Sequence, residues 1–177
     1  HGVLRLEQAL TTGGGWQDQV GGAVDGVKIA SADPGLVPNL AVQYVPGDVL
    51  APASAGGTAL LYYTGITRLA KNILGQVVGR YLDRDRIAMD TLRQLHGLPH
   101  EVADAMARKD LDAFGRMVDR AWELNKTLDP HSTNDQVDAL LARVRPHVVG
   151  AKLLGAGGGG FLLMIAKDPD AAAAIRA

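Results

Sequence analysis

The chain has 177 residues, a net charge of −1, no cysteine and 47% hydrophobic residues. That length buries a core without a metal or disulfide staple, and that composition excludes disorder as a default. No Lys/Arg block gives a footprint for nucleic acid, no apolar run is long enough to span a bilayer, and disulfides, thiolate zinc sites and cysteine nucleophiles are all ruled out.

The first residue is His1, not Met. Residues 3–10 read as the end of a helix already under way, so a piece of a longer chain is expected. No basic segment followed by an apolar stretch marks a signal peptide, and the lack of Cys fits a reducing, cytoplasmic setting. Residues 11–15 form a glycine exit from that helix. Residues 23–30 and 40–45 read as strands around a Pro34-Gly35 turn, and 58–63 as a buried strand ending at Gly65.

Four helical stretches follow. In the first, Leu69, Ile73, Val77 and Tyr81 recur every fourth residue, with Thr67 as N-cap. The second starts near Asp85 and breaks at Gly97-Leu98-Pro99, with a short continuation through Ala107 opened by Pro99. The third starts at Asp110 and places Leu111, Phe114, Val118 and Trp122 on one side, with Trp122 in the core. Thr133 with Gln136 has the capping-box spacing that opens the fourth, and Pro146 closes it. A strand over 151–154, a glycine loop, a strand over 161–166 and a helix opened by Asp168-Pro169 complete the chain. The order predicts one α+β domain over 1–177, a mostly antiparallel sheet covered by a helical layer.

Two segments carry chemistry. In the first, Gly13-Gly14-Gly15 delivers the chain to Trp16-Gln17-Asp18-Gln19, and Gly21-Gly22 releases it. Glycines let backbone approach a ligand, and a carboxylate held there can orient or deprotonate a hydroxyl. The same residues also suit a plain turn with a solvated Asp and a core Trp. The second is Gly155-Ala156-Gly157-Gly158-Gly159-Gly160 between two apolar strands. Unhindered backbone N–H groups there suit anionic oxygens; a tightly packed hairpin or bulge is the competing reading. Gly155, Gly157 and Gly160 match G-x-G-x-x-G, but a dinucleotide fingerprint opens a helix and this loop opens a strand. No Lys-Ser/Thr follows the glycines, so a Walker A loop is excluded as well.

Other polar residues carry weaker signals. Lys152 suits added positive charge at the loop or an exposed strand end, and Arg68 a substrate contact or a structural ion pair. His96, His100, His131 and His147 share no metal-ligand spacing, and the Gly97/Pro99 break takes His96 and His100 off a common face.

Together the Gly13–Gly22 segment and Lys152-Leu153-Leu154-Gly155-Ala156-Gly157-Gly158-Gly159-Gly160-Phe161 resemble the GHMP kinase superfamily. Leu61-Tyr62-Tyr63-Thr64-Gly65-Ile66-Thr67-Arg68-Leu69-Ala70-Lys71-Asn72, Trp122-Glu123-Leu124-Asn125-Lys126 and Ala166-Lys167-Asp168-Pro169 are similar to L-fucokinases, including bifunctional ones fused to a GDP-fucose pyrophosphorylase. The resemblance implies an ATP- and Mg²⁺-dependent kinase acting on the 1-hydroxyl of L-fucose. It implies Asp18 as catalytic carboxylate, Gly14, Gly15, Trp16, Gln17 and Arg68 in the sugar pocket, and residues 155–160 beside the phosphate or sugar. The family's Pro-x-x-x-Gly-Leu-Gly-Ser-Ser phosphate loop is absent from these 177 residues. The remainder of a kinase chain is therefore the expected partner, the metal ligands stay unassigned, and these residues alone are expected to be inactive. Heptose 7-phosphate kinases share the Trp-Gln-Asp-Gln core and are the enzyme alternative. A non-catalytic sugar-sensing module is the other.

Overall fold

The computed structural model describes residues 16–33, 39–51, 56–66, 71–155 and 157–177 and, at Asp18 and residues 71–74, the backbone alone. Five strands and six helices occur among them. Strands β1 (Lys28–Ala32) and β2 (Leu40–Tyr44) form an antiparallel hairpin. Strands β3 (Ala59–Tyr63), β4 (Val148–Leu153) and β5 (Phe161–Ala166) form an antiparallel sheet in the order β3-β5-β4. Its register pairs Tyr63 with Phe161 and Leu153 with Leu162. The helices are α1 (Gln17–Ala23), α2 (Lys71–Leu82), α3 (Arg86–Ala107), α4 (Leu111–Leu128), α5 (Asp135–Val144) and α6 (Pro169–Arg176). This is the α+β arrangement of antiparallel strands and helical cover that the element order implies.

Helix α4 lies against β4 because both surfaces carry glycine at the crossing. A side chain at Gly150 would collide with the backbone carbonyl of Gly115, and one at Gly115 would press on Val149 and Ile165. Asp119, one turn on, accepts from the Ala151 N–H (3.4 Å) and from Arg145 (2.7 Å), pinning the helix to the strand. The core forms under this contact. Trp122, Val137, Leu153 and Leu162 are fully buried there, with Val144, Val148 and Met164 beside them. A second apolar group joins Phe114 and Val118 of α4 to Ala105, Met106 and Ile165.

Several expectations are corrected. Residues 17–23, read as loop and strand, are helical, and Lys28 explains the end of that helix. Its ammonium donates to the carbonyls of Gly21, Val24 and Gly26, satisfying carbonyls left open at the C-terminus. The strand accordingly starts at Lys28, after Gly26 in the left-handed region (φ +80°).

Helix α3 runs unbroken through Gly97-Leu98-Pro99. Pro99 cannot donate to the Leu95 carbonyl, a loss that costs about 3 kcal/mol in a helix interior. Burial offsets it, with Leu98 on one side of the proline and Ala105 and Met106 on the other. His96 and His100 are thus one helical turn apart, on a common face after all. The α5 cap is Asn134 rather than Thr133. Its side chain accepts from the Gln136 and Val137 N–H groups, while Thr133 Oγ1 donates to Asp138. Strand β4 starts three residues before the expected 151, since Val148 is buried against the core. The opening helix over 3–10, the Pro34-Gly35 turn and the Thr67 cap lie outside the described residues.

Candidate functional site

The glycine loop closes the β4–β5 hairpin. At its base the Leu154 N–H donates to the Phe161 carbonyl (2.8 Å) and the Tyr63 and Phe161 rings meet at 5.0 Å. Two chain segments then grip it. On one side, Thr64 donates from both N–H (2.9 Å) and Oγ1 (2.8 Å) to the Gly160 carbonyl, and the Gly160 N–H donates to the Ile66 carbonyl (2.9 Å). On the other, the Gly158 N–H donates to the Ser132 carbonyl, and Asn134 Nδ2 donates to the Gly158 carbonyl (3.0 Å).

Side-chain-free residues are required for these contacts. A Cβ at Gly157 would stand 2.5 Å from the Ser132 carbonyl oxygen, and one at Gly159 would collide with the Ile66 carbonyl. Gly157 (φ +94°) and Gly158 (φ +78°) also hold conformations that L side chains rarely adopt. The tight hairpin is therefore real, and it leaves part of the anion-facing capacity intact. The N–H groups of Gly158 and Gly160 are committed to protein carbonyls. Among the described residues, those of Gly155, Gly157 and Gly159 meet no protein acceptor. Ala156 lies outside the described residues.

Beside the loop, residues 129–134 form a polar shelf. Asp129 is 3% exposed and caps the turn Pro130–Ser132. Its Oδ1 accepts from the His131 N–H (2.9 Å) and faces His131 Nδ1 (2.8 Å). Oδ2 is buried with no hydrogen-bond partner. Arg80 holds the approach to this shelf by donating to the Thr127 and Leu128 carbonyls, and pairs with Asp85 at 2.9 Å.

Lys152 is not an exposed strand-end lysine. It is half-buried, and burial pushes its ammonium below the ordinary lysine range. Its Nζ donates to the Leu153 carbonyl at 2.9 Å. With the Asn125 amide turned to satisfy its neighbours, Lys152 also donates to Asn125 at 3.1 Å, and Asn125 donates to the Ala121 carbonyl at 3.2 Å. Among the described residues it forms no ion pair.

The other predicted site residues are placed as follows. Trp16 is half-buried at the start of α1, and Asp18 is the second residue of that helix. Gln17 is exposed and lines an apolar cavity of about 390 Å³ with Val20, Ile29, Val45, Val102 and Met106. Gly14, Gly15 and Arg68 lie outside the described residues. The segment leading to Arg68 does reach the glycine loop, through Thr64 and Ile66. Among the described residues, no group of three or more His, Asp or Glu is placed to hold a metal, and no helix is long and apolar enough to cross a membrane. Ser132, Asn134 and Asp129 were not singled out from the sequence. Asn134 had a signal, as a cap-forming residue three positions before the buried Val137.

Comparison with known proteins agrees with this arrangement. The family GHMP kinases C terminal matches residues 102–177. The L-fucokinase/L-fucose-1-P guanylyltransferase of Bacteroides fragilis is 40% identical over 98% of this chain, which spans 18% of that protein. The bifunctional fucokinase/GDP-fucose pyrophosphorylase of Arabidopsis thaliana is 39% identical over 98%, spanning 16% of it. The crystal structure of L. major mevalonate kinase in complex with R-mevalonate superposes on 90% of the chain and 46% of its own. Its TM-score is 0.68 at 16% identity, a likeness of fold. Residues 102–177, which hold the glycine-loop hairpin and most of its helical cover, thus carry a GHMP kinase C-terminal domain.

Proposed function

We propose that this chain is the C-terminal part of an ATP-dependent sugar 1-kinase that converts L-fucose to L-fucose 1-phosphate. The 40% identity with a protein named L-fucokinase/L-fucose-1-P guanylyltransferase, sustained over 98% of the chain, carries the reading. In this reading Asp18 accepts the proton of the sugar's 1-hydroxyl while that oxygen bonds to the γ-phosphorus and ADP leaves. Phosphoryl transfer depends mainly on positioning and charge stabilisation, and the glycine loop supplies backbone N–H groups at the transferring phosphate. Gly14, Gly15, Trp16, Gln17 and Arg68 shape the sugar pocket. Mg²⁺ belongs to this chemistry generally, and among the described residues no group of three or more His, Asp or Glu is placed to hold it.

The partner in this reading is the remainder of the kinase chain, in the cytoplasm. Exposed apolar side chains support an extended partner surface. Tyr44 of β2 is 66% exposed, Leu61 and Tyr63 of edge strand β3 are 60% and 54%, and Phe161 is 47%. Tyr63 and Phe161 are paired across β3 and β5 with their rings 5.0 Å apart, so their exposed apolar surface is continuous, as at interaction surfaces.

The test is product formation from ATP and L-fucose, followed by phosphorus NMR. The full-length kinase yields fucose 1-phosphate. These 177 residues alone yield none, because the Gly-Ser phosphate loop is not among them and binding and positioning supply most of the catalysis. Turnover by the 177 residues near a normal kinase rate, about 1 per second, would contradict this division of labour.

A further inference from the structure

We infer that Asn134 is a positioning residue that aims the Gly159 N–H at an anionic phosphoryl oxygen. The inference rests on the reading above that the glycine loop lies beside the transferring phosphate. One side chain does two jobs. Asn134 Oδ1 accepts from the Gln136 and Val137 N–H groups (both 3.1 Å) and so caps α5. Asn134 Nδ2 donates to the Gly158 carbonyl at 3.0 Å.

That carbonyl and the Gly159 N–H belong to the same peptide unit. A trans peptide is planar, with its oxygen and its N–H on opposite sides, and no cis peptide occurs among the described residues. Holding the oxygen against Asn134 therefore turns the Gly159 N–H away from the shelf. Polarising the carbonyl also strengthens the N–H as a donor. Among the described residues that N–H meets no protein acceptor.

The surrounding contacts keep the unit from rotating. The Gly158 N–H is held by Ser132, two residues before Asn134, and the Gly160 N–H is held by Ile66. Thr133 Oγ1 donates to Asp138 at 2.6 Å and fixes the shelf between Ser132 and Asn134. Two of these three contacts are backbone to backbone and the third joins Thr133 to Asp138, so none of them runs through the Asn134 side chain.

Asn134→Asp separates the two jobs. Aspartate caps a helix as well as asparagine does, but a carboxylate cannot donate to the Gly158 carbonyl. Asn134→Ala removes both functions. Hydrogen exchange and steady-state kinetics on the full-length kinase read the result. For Asn134→Asp the expectation is unchanged protection of the α5 amides and roughly tenfold faster exchange over residues 158–160. kcat should fall about 10- to 100-fold, while the KM for L-fucose changes little. Asn134→Ala should show the same loop and kcat effects together with loss of α5 protection. Unchanged loop exchange in Asn134→Asp overturns the proposal and leaves Asn134 a cap. Faster loop exchange with unchanged kcat overturns the placement of the loop at the phosphate, and the aiming of Gly159 with it, while the latch itself stands.

Discussion

Asn at position 18 is expected to lower kcat of the full-length kinase by roughly 10²-fold or more, with the KM for the sugar little changed. General-base steps contribute about 10²- to 10⁴-fold, and if Asp18 is the base, as proposed, Asp18→Asn removes that step without changing side-chain shape. The backbone setting should survive the change. Asp18 is the second residue of α1, a helix whose end is fixed by Lys28. Steady-state kinetics of both proteins at matched thermal stability decide the matter. Unchanged kcat would remove Asp18 from the mechanism as its general base.

Gly157→Ala carries the largest expected stability effect in the glycine loop. A non-glycine residue at a left-handed φ costs about 1–2 kcal/mol, and Gly157 sits at φ +94°. The added methyl would also stand 2.5 Å from the Ser132 carbonyl oxygen and 3.0 Å from its Cα, and such overpacking costs about 1–3 kcal/mol more. Together these predict a loss of about 2–5 kcal/mol. For a chain of this size that is roughly 5–15 °C in Tm. Gly155→Ala is the control, since Gly155 also has positive φ (+71°) but open space around its Cβ. It should lose only about 1–2 kcal/mol. Equal losses in the two variants would mean that the loop does not pack on the Ser132 shelf.

The legible parts of this molecule were those where one residue type carries a local physical signal. The 3.6-residue period placed Phe114, Val118 and Trp122 on the buried side of α4. Asp110, Asp168 and Pro169 marked helix starts that the hydrogen bonds to Ala113 and Ala171 reproduce. The apolar run 161–166 became β5 with the expected bounds. Parts set by tertiary contact were not legible. Pro99 reads as a break until the burial of Leu98 and Met106 on either side of it is known. Residues 17–23 read as loop because the Lys28 ammonium that ends their helix sits five residues beyond it. At the site, the sequence marked the glycines but not what faces them. Ser132 and Ile66 act through backbone carbonyls, which leave no trace in side-chain pattern. Lys152 read equally as added charge at the loop or as an exposed strand end, and the Asn125 side chain that meets it lies 27 positions earlier on α4.

Substrate choice separates the fucokinase reading from the heptose 7-phosphate kinase alternative. kcat/KM is measured on the full-length kinase for L-fucose, L-galactose, D-arabinose and D-glycero-D-manno-heptose 7-phosphate. L-Fucose is expected to be best. L-Galactose adds a hydroxyl where fucose has a methyl, and an apolar pocket separates such pairs by only about 1–3 kcal/mol, so it should be accepted more weakly, as should D-arabinose. Heptose 7-phosphate brings a dianion that needs dedicated cationic donors. Arg68 and Lys152 are the candidates in this chain, and Lys152 already donates to Leu153 and Asn125. Negligible turnover of heptose 7-phosphate is expected. A higher kcat/KM for heptose 7-phosphate than for L-fucose would contradict the fucokinase reading and leave only the GHMP kinase C-terminal domain over residues 102–177.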